Sequence, residues 1–102
     1  MVKHVILWTL KDELSEEEKS KVKKEIKEGL EGLKGVIPEI VDIRVITEGL
    51  STSNADLMLD STFQTAEDLA VYAAHPAHLE VANGKVRPFT RLRSCLDFND
   101  NE

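Results

Sequence analysis

The sequence of 102 residues predicts one α+β domain, in which a four-stranded antiparallel sheet carries two helices on one face. Four short segments are rich in β-branched residues or alternate apolar with polar residues, as is typical of strands. Two other segments repeat apolar residues every three or four positions after a capping Ser or Thr, which predicts helices. These segments follow one another in the order β-α-β-β-α-β without a linker, so the chain is expected to fold as one unit.

The first segment, HVILWTL, predicts a strand that is apolar on both faces. The even positions are His4, Ile6, Trp8 and Leu10, and the odd positions are Val5, Leu7 and Thr9. A strand that is apolar on both faces needs cover on both, whereas two helices can cover only one face of so small a sheet. The second face is therefore expected to pack against a second subunit.

The next segment predicts a long helix that begins after Ser15. Ser15 and Glu18 have the spacing of a capping box, in which each side chain accepts a hydrogen bond from an otherwise unpaired amide of the first turn. The apolar residues along this helix form one narrow stripe of Val22, Ile26, Leu30 and Leu33. Gly35 is expected to end the helix, since Pro38 follows shortly after it.

The second half of the chain predicts a hairpin, a second helix and a last strand. IVDIRVITEG and ADLMLDSTF are predicted strands joined by the turn-rich loop GLSTSN, with Val41, Ile43 and Val45 on the apolar face of the first. Thr65 and Asp68 are spaced to cap the second helix, and TRLRSCLDF is the last strand. This order is the ferredoxin-like arrangement, and two such sheets packed face to face close a barrel across a dimer.

Composition excludes several classes of partner. The formal net charge of −6 argues against nucleic acid, because phosphate contacts need clustered Lys and Arg. No apolar run is long enough to span a membrane, so no membrane partner is expected. Cys95 is the single cysteine, so no disulfide can form within the chain, and the cytoplasm is the expected location.

The stretch VYAAHPAHLE holds the only tyrosine and two of the three histidines. Pro76 disfavours a helical residue before it and suits the first position of a new helix, so His75 is expected at an N-cap. His78 then lies in the first turn, where the helix dipole disfavours imidazolium and leaves a neutral ring that can act as a general base. Tyr72 can offer a phenol donor to a carbonyl oxygen, and His4 can point into the same cavity.

Each of these residues also has a structural interpretation. Tyr72 fits a core aromatic, His75 fits a capping residue, and His78 fits a surface or packed histidine. A zinc site formed by His4, His75 and His78 is the remaining alternative, because three neutral imidazoles and a water form a known catalytic set. Pro76 separates the histidine pair, however, so no metal is expected.

The motifs VKHVILWTLKDELS and YAAHPAHLEVA resemble those of the stress-responsive α/β-barrel (Dabb) domain family. The resemblance covers residues 1–98, which are expected to form the domain, and leaves residues 99–102 as a polar tail. It implies subunits that dimerise through their sheets into an α/β barrel, in agreement with the two apolar faces of the first strand.

For function, the resemblance implies two alternatives. Most members are known as stress-induced or uncharacterised proteins, which implies a homodimer that binds a small apolar molecule in a cleft between sheet and helices. A few plant members are polyketide cyclases that carry out an intramolecular aldol condensation without a metal or organic cofactor. On that pattern His78 is the base and Tyr72 assists it, and the residues that line or support the cleft are His4, Ile6, His75, Val81 and Phe89. Whether the chain is an enzyme stays open at this point.

Overall fold

The computed structural model describes residues 1–101 and contains four strands and three helices. Their bounds are β1 Val2–Leu10, α1 Glu16–Glu31, β2 Ile40–Ile46, β3 Leu57–Phe63, α2 Ala66–Ala74, α3 Pro76–Val81 and β4 Thr90–Asn99. A π-helical turn, Ala82–Val86, and a 3-10 turn, Arg87–Phe89, connect α3 to β4. The predicted order of elements is confirmed, and Pro76 adds the short helix α3 as its position implied.

The strands form one antiparallel sheet in the order β2-β3-β1-β4, which confirms the ferredoxin-like fold. The first strand is central and pairs with β3 on one side and β4 on the other. Across these pairs His4 lies opposite Ser61 and Asp97, while Trp8 lies opposite Leu57 and Arg93. The register therefore brings side chains of β4 next to the histidine of β1, although the two strands are far apart in sequence.

The core lies between one face of the sheet and the helices. The even positions of β1 are buried there, together with the stripe of α1 formed by Val22, Ile26 and Leu30. The capping box of α1 is present: the Ser15 hydroxyl accepts from the Glu18 N–H, and the Glu18 carboxylate accepts from the Ser15 N–H. Thr65 caps α2 by accepting from the Asp68 N–H, also as predicted.

The structure corrects three details of the prediction. The first helix ends at Glu31 with Gly32 as its C-cap, and Gly35 lies in the following turn with a φ of 92°, a conformation that suits glycine. A bulge in β2 places Ile40 in the core, so Val41 is only half-buried. The β4 strand continues to Asn99, and the Asp100 N–H donates to the Met1 carbonyl, so the expected polar tail is paired with β1 at its start. Residue 102 lies outside the described residues.

The opposite face of the sheet carries no helix and remains apolar. Leu7 on β1 is 42% exposed, and three β4 side chains that point the same way, Leu92, Leu96 and Phe98, are also exposed. None of the helices within residues 1–101 is long and apolar enough to cross a membrane.

Candidate functional site

A cleft of ≈190 Å³ opens between the central strand and the connection that follows α2. Its apolar wall is formed by residues of the sheet and of α1: Ile6, Trp8, Leu59 and Leu30. Its polar wall is formed by His4, Tyr72, His78, Arg87 and Arg93. The cleft is smaller than the roughly 300–1,000 Å³ of a typical ligand pocket, so it suits a small molecule.

Tyr72 is the deepest polar residue of the cleft. It is only 1% exposed and packs on Phe63, with 5.1 Å between the ring centroids. Within residues 1–101 its hydroxyl has no hydrogen-bond partner. Burial raises the pKa of Tyr72 well above its ordinary value of 10.0, so the phenol stays protonated and able to donate. A buried hydroxyl without a partner costs free energy unless a ligand supplies the acceptor.

His78 lies beside Tyr72 because Pro76 breaks the helix between them. The two rings are 4.4 Å apart between centroids. The His78 Nδ1–H donates to the Ala73 carbonyl at 3.1 Å, and a carbonyl can only accept, so the neutral ring keeps its lone pair on Nε2. Burial lowers the pKa of His78 below its ordinary value of 6.5, and the positive charge of Arg87 acts in the same direction. His78 is therefore a neutral acceptor near pH 7.

His4 is held by a residue of β4 directly opposite it. Its Nδ1 lies 2.5 Å from the Asp97 Oδ1, and its ring edge faces Tyr72 with 6.2 Å between centroids. Burial alone would raise the pKa of Asp97, but the hydrogen bond and the charge of His4 bring it below its ordinary value of 3.8. The Asp97 carboxylate thus fixes the orientation of the His4 ring.

One group within the described residues has the spacing of a metal site. The His4 Nδ1, Cys95 Sγ and Asp97 oxygen all lie within 4.8 Å of one another. The short contact between His4 and Asp97 is a hydrogen bond, however, and burial raises the pKa of the Cys95 thiol, which disfavours the thiolate that a metal needs. His4, His75 and His78, the predicted alternative, do not form a group of this spacing within the described residues, and the His75 Nδ1 accepts from the Ala77 N–H.

The structure brings together four of the residues that the sequence singled out: His4, Ile6, Tyr72 and His78 all line the cleft. His75 caps α3 at 3.0 Å from the Ala77 N–H and does not line it. Val81 and Phe89 are partly buried against the core and are not among the residues that line the cleft. These three residues are therefore not wall residues, and a supporting role for them stays a prediction.

Sequence reasoning missed Arg87, Arg93 and Asp97. Arg87 directly follows the π-helical turn, and no pattern in the sequence predicts that turn. Such turns are frequent at functional sites. Arg93 and Asp97 reach the site only through the register of β4 against β1. The usable signal was the alternation of TRLRSCLD, which puts Arg93, Cys95 and Asp97 on one face of the strand.

A second cavity of ≈290 Å³ is larger but lacks the chemistry of the first. It lies at the end of the sheet, where Leu7, Ile46 and Met58 meet the loop after β2. Its lining contains neither histidine nor tyrosine, and its one carboxylate, Asp56, accepts from the Leu10 N–H. The smaller cleft is therefore the candidate site.

Comparison with known proteins agrees with the fold. The family described as Stress responsive A/B Barrel Domain matches residues 2–100. Stress-response A/B barrel domain-containing protein HS1 of Arabidopsis thaliana is 33% identical over 87 residues, which are 79% of this chain and 73% of HS1.

Solved structures show the same architecture. A dimeric protein of unknown function with a ferredoxin-like fold from Bacteroides fragilis is 31% identical, with a TM-score of 0.90 over 97% of this chain and 95% of that chain. The hydroxynitrile lyase of Passiflora edulis has a TM-score of 0.75 over 99% of this chain and 94% of its own, but at 20% identity it shows the fold alone.

Proposed function

The chain belongs to the stress-responsive A/B barrel domain family, and on this premise we propose that it is a homodimer whose cleft carries out cofactor-free acid–base chemistry next to a carbonyl group. His78 is the base and Tyr72 is the hydrogen-bond donor. The observation that carries the proposal is the buried Tyr72 hydroxyl, which has no partner within residues 1–101 and lies beside a histidine with a free Nε2. A carbonyl oxygen of a substrate would satisfy that hydroxyl.

The chemistry follows from the two side chains. The His78 Nε2 takes a proton from the carbon next to the carbonyl group. The electron pair of that C–H bond forms the C=C bond of an enolate, and the π pair of the carbonyl group moves onto its oxygen. The Tyr72 O–H stabilises the resulting enolate by donating to this oxygen. In an aldol-type cyclisation the enolate carbon then bonds to a second carbonyl carbon, whose oxygen receives the proton from His78. Every proton is returned, so the step needs no cofactor.

The size of the cleft limits the substrate. At ≈190 Å³ it does not hold a long alkyl chain, so a small carbonyl compound is proposed rather than an alkyl-polyketide. The fold is compatible with such chemistry, since a hydroxynitrile lyase shares it. No substrate is carried over from that protein.

The proposed homodimer forms through the helix-free face of the sheet. Leu7, Leu92, Leu96 and Phe98 are 42%, 55%, 65% and 41% exposed there, which is unusual for apolar side chains on one face. The similar proteins from Bacteroides fragilis, Thermobifida fusca and Jannaschia are described as dimeric. The cytoplasm is the proposed location, because Cys95 is a free thiol.

A second candidate function is binding of a small apolar molecule without turnover. The apolar wall of Ile6, Trp8 and Leu59 favours it. Under this alternative Tyr72 serves only to bind a polar atom of the ligand, and His78 transfers no proton.

Hydrogen–deuterium exchange separates the two functions. Cyclohexanone is a small neutral ketone, and its α-protons exchange slowly in D₂O near neutral pH. The protein is expected to accelerate this exchange, which proton NMR can follow. The His78→Asn substitution is expected to lower the acceleration by about 10²-fold or more. The Tyr72→Phe substitution is expected to lower it by about 10²-fold. Lys85→Gln, outside the cleft lining, serves as the control. Exchange that is equal in the His78→Asn variant and the unchanged protein would eliminate the catalytic proposal and leave binding.

A further inference from the structure

The cleft has a lining whose charged residues are both arginines, although the chain is acidic. Arg87 and Arg93 both line it, next to the imidazoles of His4 and His78. The chain carries 19 acidic and 13 basic residues, so cations concentrated at one cleft do not reflect the composition. The nearby Asp97 carboxylate accepts a hydrogen bond from His4, and the charge of Arg93 contributes to the lowered pKa of this carboxyl group.

Neither arginine is neutralised by an ion pair. Within residues 1–101, no carboxylate oxygen lies within 4.0 Å of the guanidinium of Arg87 or Arg93, whereas Arg44 and Arg91 both have such a partner. Arg87 donates from Nη1 to the neutral amide oxygen of Asn83, which leaves its charge uncompensated. Guanidinium groups offer five N–H donors in a plane and bind carboxylates in a bidentate manner.

We infer that the cleft binds an anionic ligand, with a carboxylate held by Arg87 and Arg93 and an apolar body against Ile6 and Leu59. This inference rests on the proposed function for the place of the reacting carbonyl, which lies at Tyr72 and His78. It narrows the proposed substrate from a small carbonyl compound to one that also carries a carboxylate. The positive charges of both arginines also act to lower the pKa of His78, after burial as the largest cause, in agreement with a cationic cleft.

The two arginines are separate in the chain but line the same cleft. Arg87 comes from the 3-10 turn after the π-helical turn, and Arg93 comes from β4 opposite Trp8. Two independent elements thus each contribute an arginine to the lining of the same ≈190 Å³ cleft. They are specificity residues, since neither is placed to move a proton.

Benzoate and benzamide test this inference, because they have nearly the same shape and differ in charge. Dissociation constants are measured for both by NMR titration at one fixed ionic strength, with the full chain. Benzoate is expected to bind at least about tenfold more tightly than benzamide. Arg87→Gln and Arg93→Gln are each expected to reduce this ratio by at least about threefold, and the double variant to bring it close to one.

Arg91→Gln is the matched control, since Arg91 lies on the same strand as Arg93 but pairs with Asp12 at 3.7 Å and does not line the cleft. It is expected to keep the benzoate preference. Equal binding of the two compounds, no binding of benzoate, or an unchanged ratio in the double variant would each overturn the anion site.

The binding experiment tests the anion site separately from the role of His78 as a base. His78→Asn is expected to keep the preference for benzoate, because the arginines and not the base hold the carboxylate. A preserved preference without exchange of cyclohexanone protons would refute the proposed chemistry alone. Exchange without a preference for benzoate would refute the anion site alone.

Discussion

The rings of Tyr72 and His78 lie 4.4 Å apart between centroids, on the two helices that Pro76 separates. One ring presents a hydroxyl without a partner in the described chain, and the other presents a nitrogen lone pair. A packed core would satisfy both groups internally. Both residues line one cleft, which distinguishes this site from ordinary contacts between helices.

Tyr72→Phe is expected to leave the stability of the protein unchanged or to raise it. The substitution removes a buried hydroxyl without a partner and keeps the ring against Phe63, so the free energy of unfolding should rise by zero to about 1 kcal/mol. Tyr72→Ala, in contrast, should lower it by about 3–5 kcal/mol through loss of packing. Urea denaturation measures both. A loss of more than about 1 kcal/mol in Tyr72→Phe would mean that the hydroxyl has a partner in the folded protein.

The His78 ring is expected to titrate below 6.5. Burial is the largest cause of the lowered pKa, and Arg87, His4 and Arg93 add to it, while the Ala73 carbonyl opposes it. Histidine ring signals followed by NMR across the acid range give the midpoint, with His78→Asn as the assignment control. Activity that depends on the neutral ring should rise with pH through the same midpoint. A midpoint at or above 6.5 would leave His78 without the environment of a base.

Arg87→Gln tests the electrostatic part of this shift. Because the positive charge of Arg87 disfavours imidazolium at His78, removal of that charge should raise the His78 midpoint toward its ordinary value. Arg91→Gln carries the same change of charge outside the cleft and should leave the midpoint in place. Equal midpoints in the two variants would show that the charge of Arg87 does not contribute to the lowered pKa of His78.

The sequence predicted those residues of the site whose positions depend only on the neighbouring residues in the chain. Pro76 sets the positions of His75 and His78 through the backbone alone, so the N-cap and the first helical turn could be derived without the fold. Arg93 and Asp97 could not be assigned, because their place depends on the register of β4 against β1 across more than 80 residues of chain. The same holds for Ile40, since a bulge is not visible in an alternating pattern.

Asp97→Asn is expected to lower stability at neutral pH and to have less effect in acid. The folded-state pKa of Asp97 is below its ordinary value of 3.8, so the carboxylate stabilises the fold above about pH 4 and loses this effect as the pH falls through the folded value. Because the side chain is 47% exposed, solvent limits the contribution to less than about 1 kcal/mol. Urea denaturation at pH 7 and pH 3 measures it. As a control, the Cys95→Ser variant keeps the pair of Asp97 and His4 and should retain the pH dependence of the unchanged protein. If Asp97→Asn lowered the stability equally at both pH values, the stabilising role assigned to the Asp97 carboxylate would be contradicted.

Leu96→Asp is expected to convert the proposed homodimer into a monomer. Leu96 is 65% exposed and lies opposite Val5 on the helix-free face, where a carboxylate in a packed interface would be buried without a partner. Leu7→Asp on the same face should also produce a monomer. Val71→Asp on α2 is the control and should leave the dimer intact, because Val71 is 46% exposed but lies on the helical side of the sheet. Sedimentation at micromolar concentration measures the assembly. Since an interface of two such sheets should be large and apolar, the unchanged protein is expected to stay dimeric throughout this range. An unchanged protein that sediments as a monomer would refute the proposed dimer, and a dimeric Leu96→Asp variant would place its interface elsewhere.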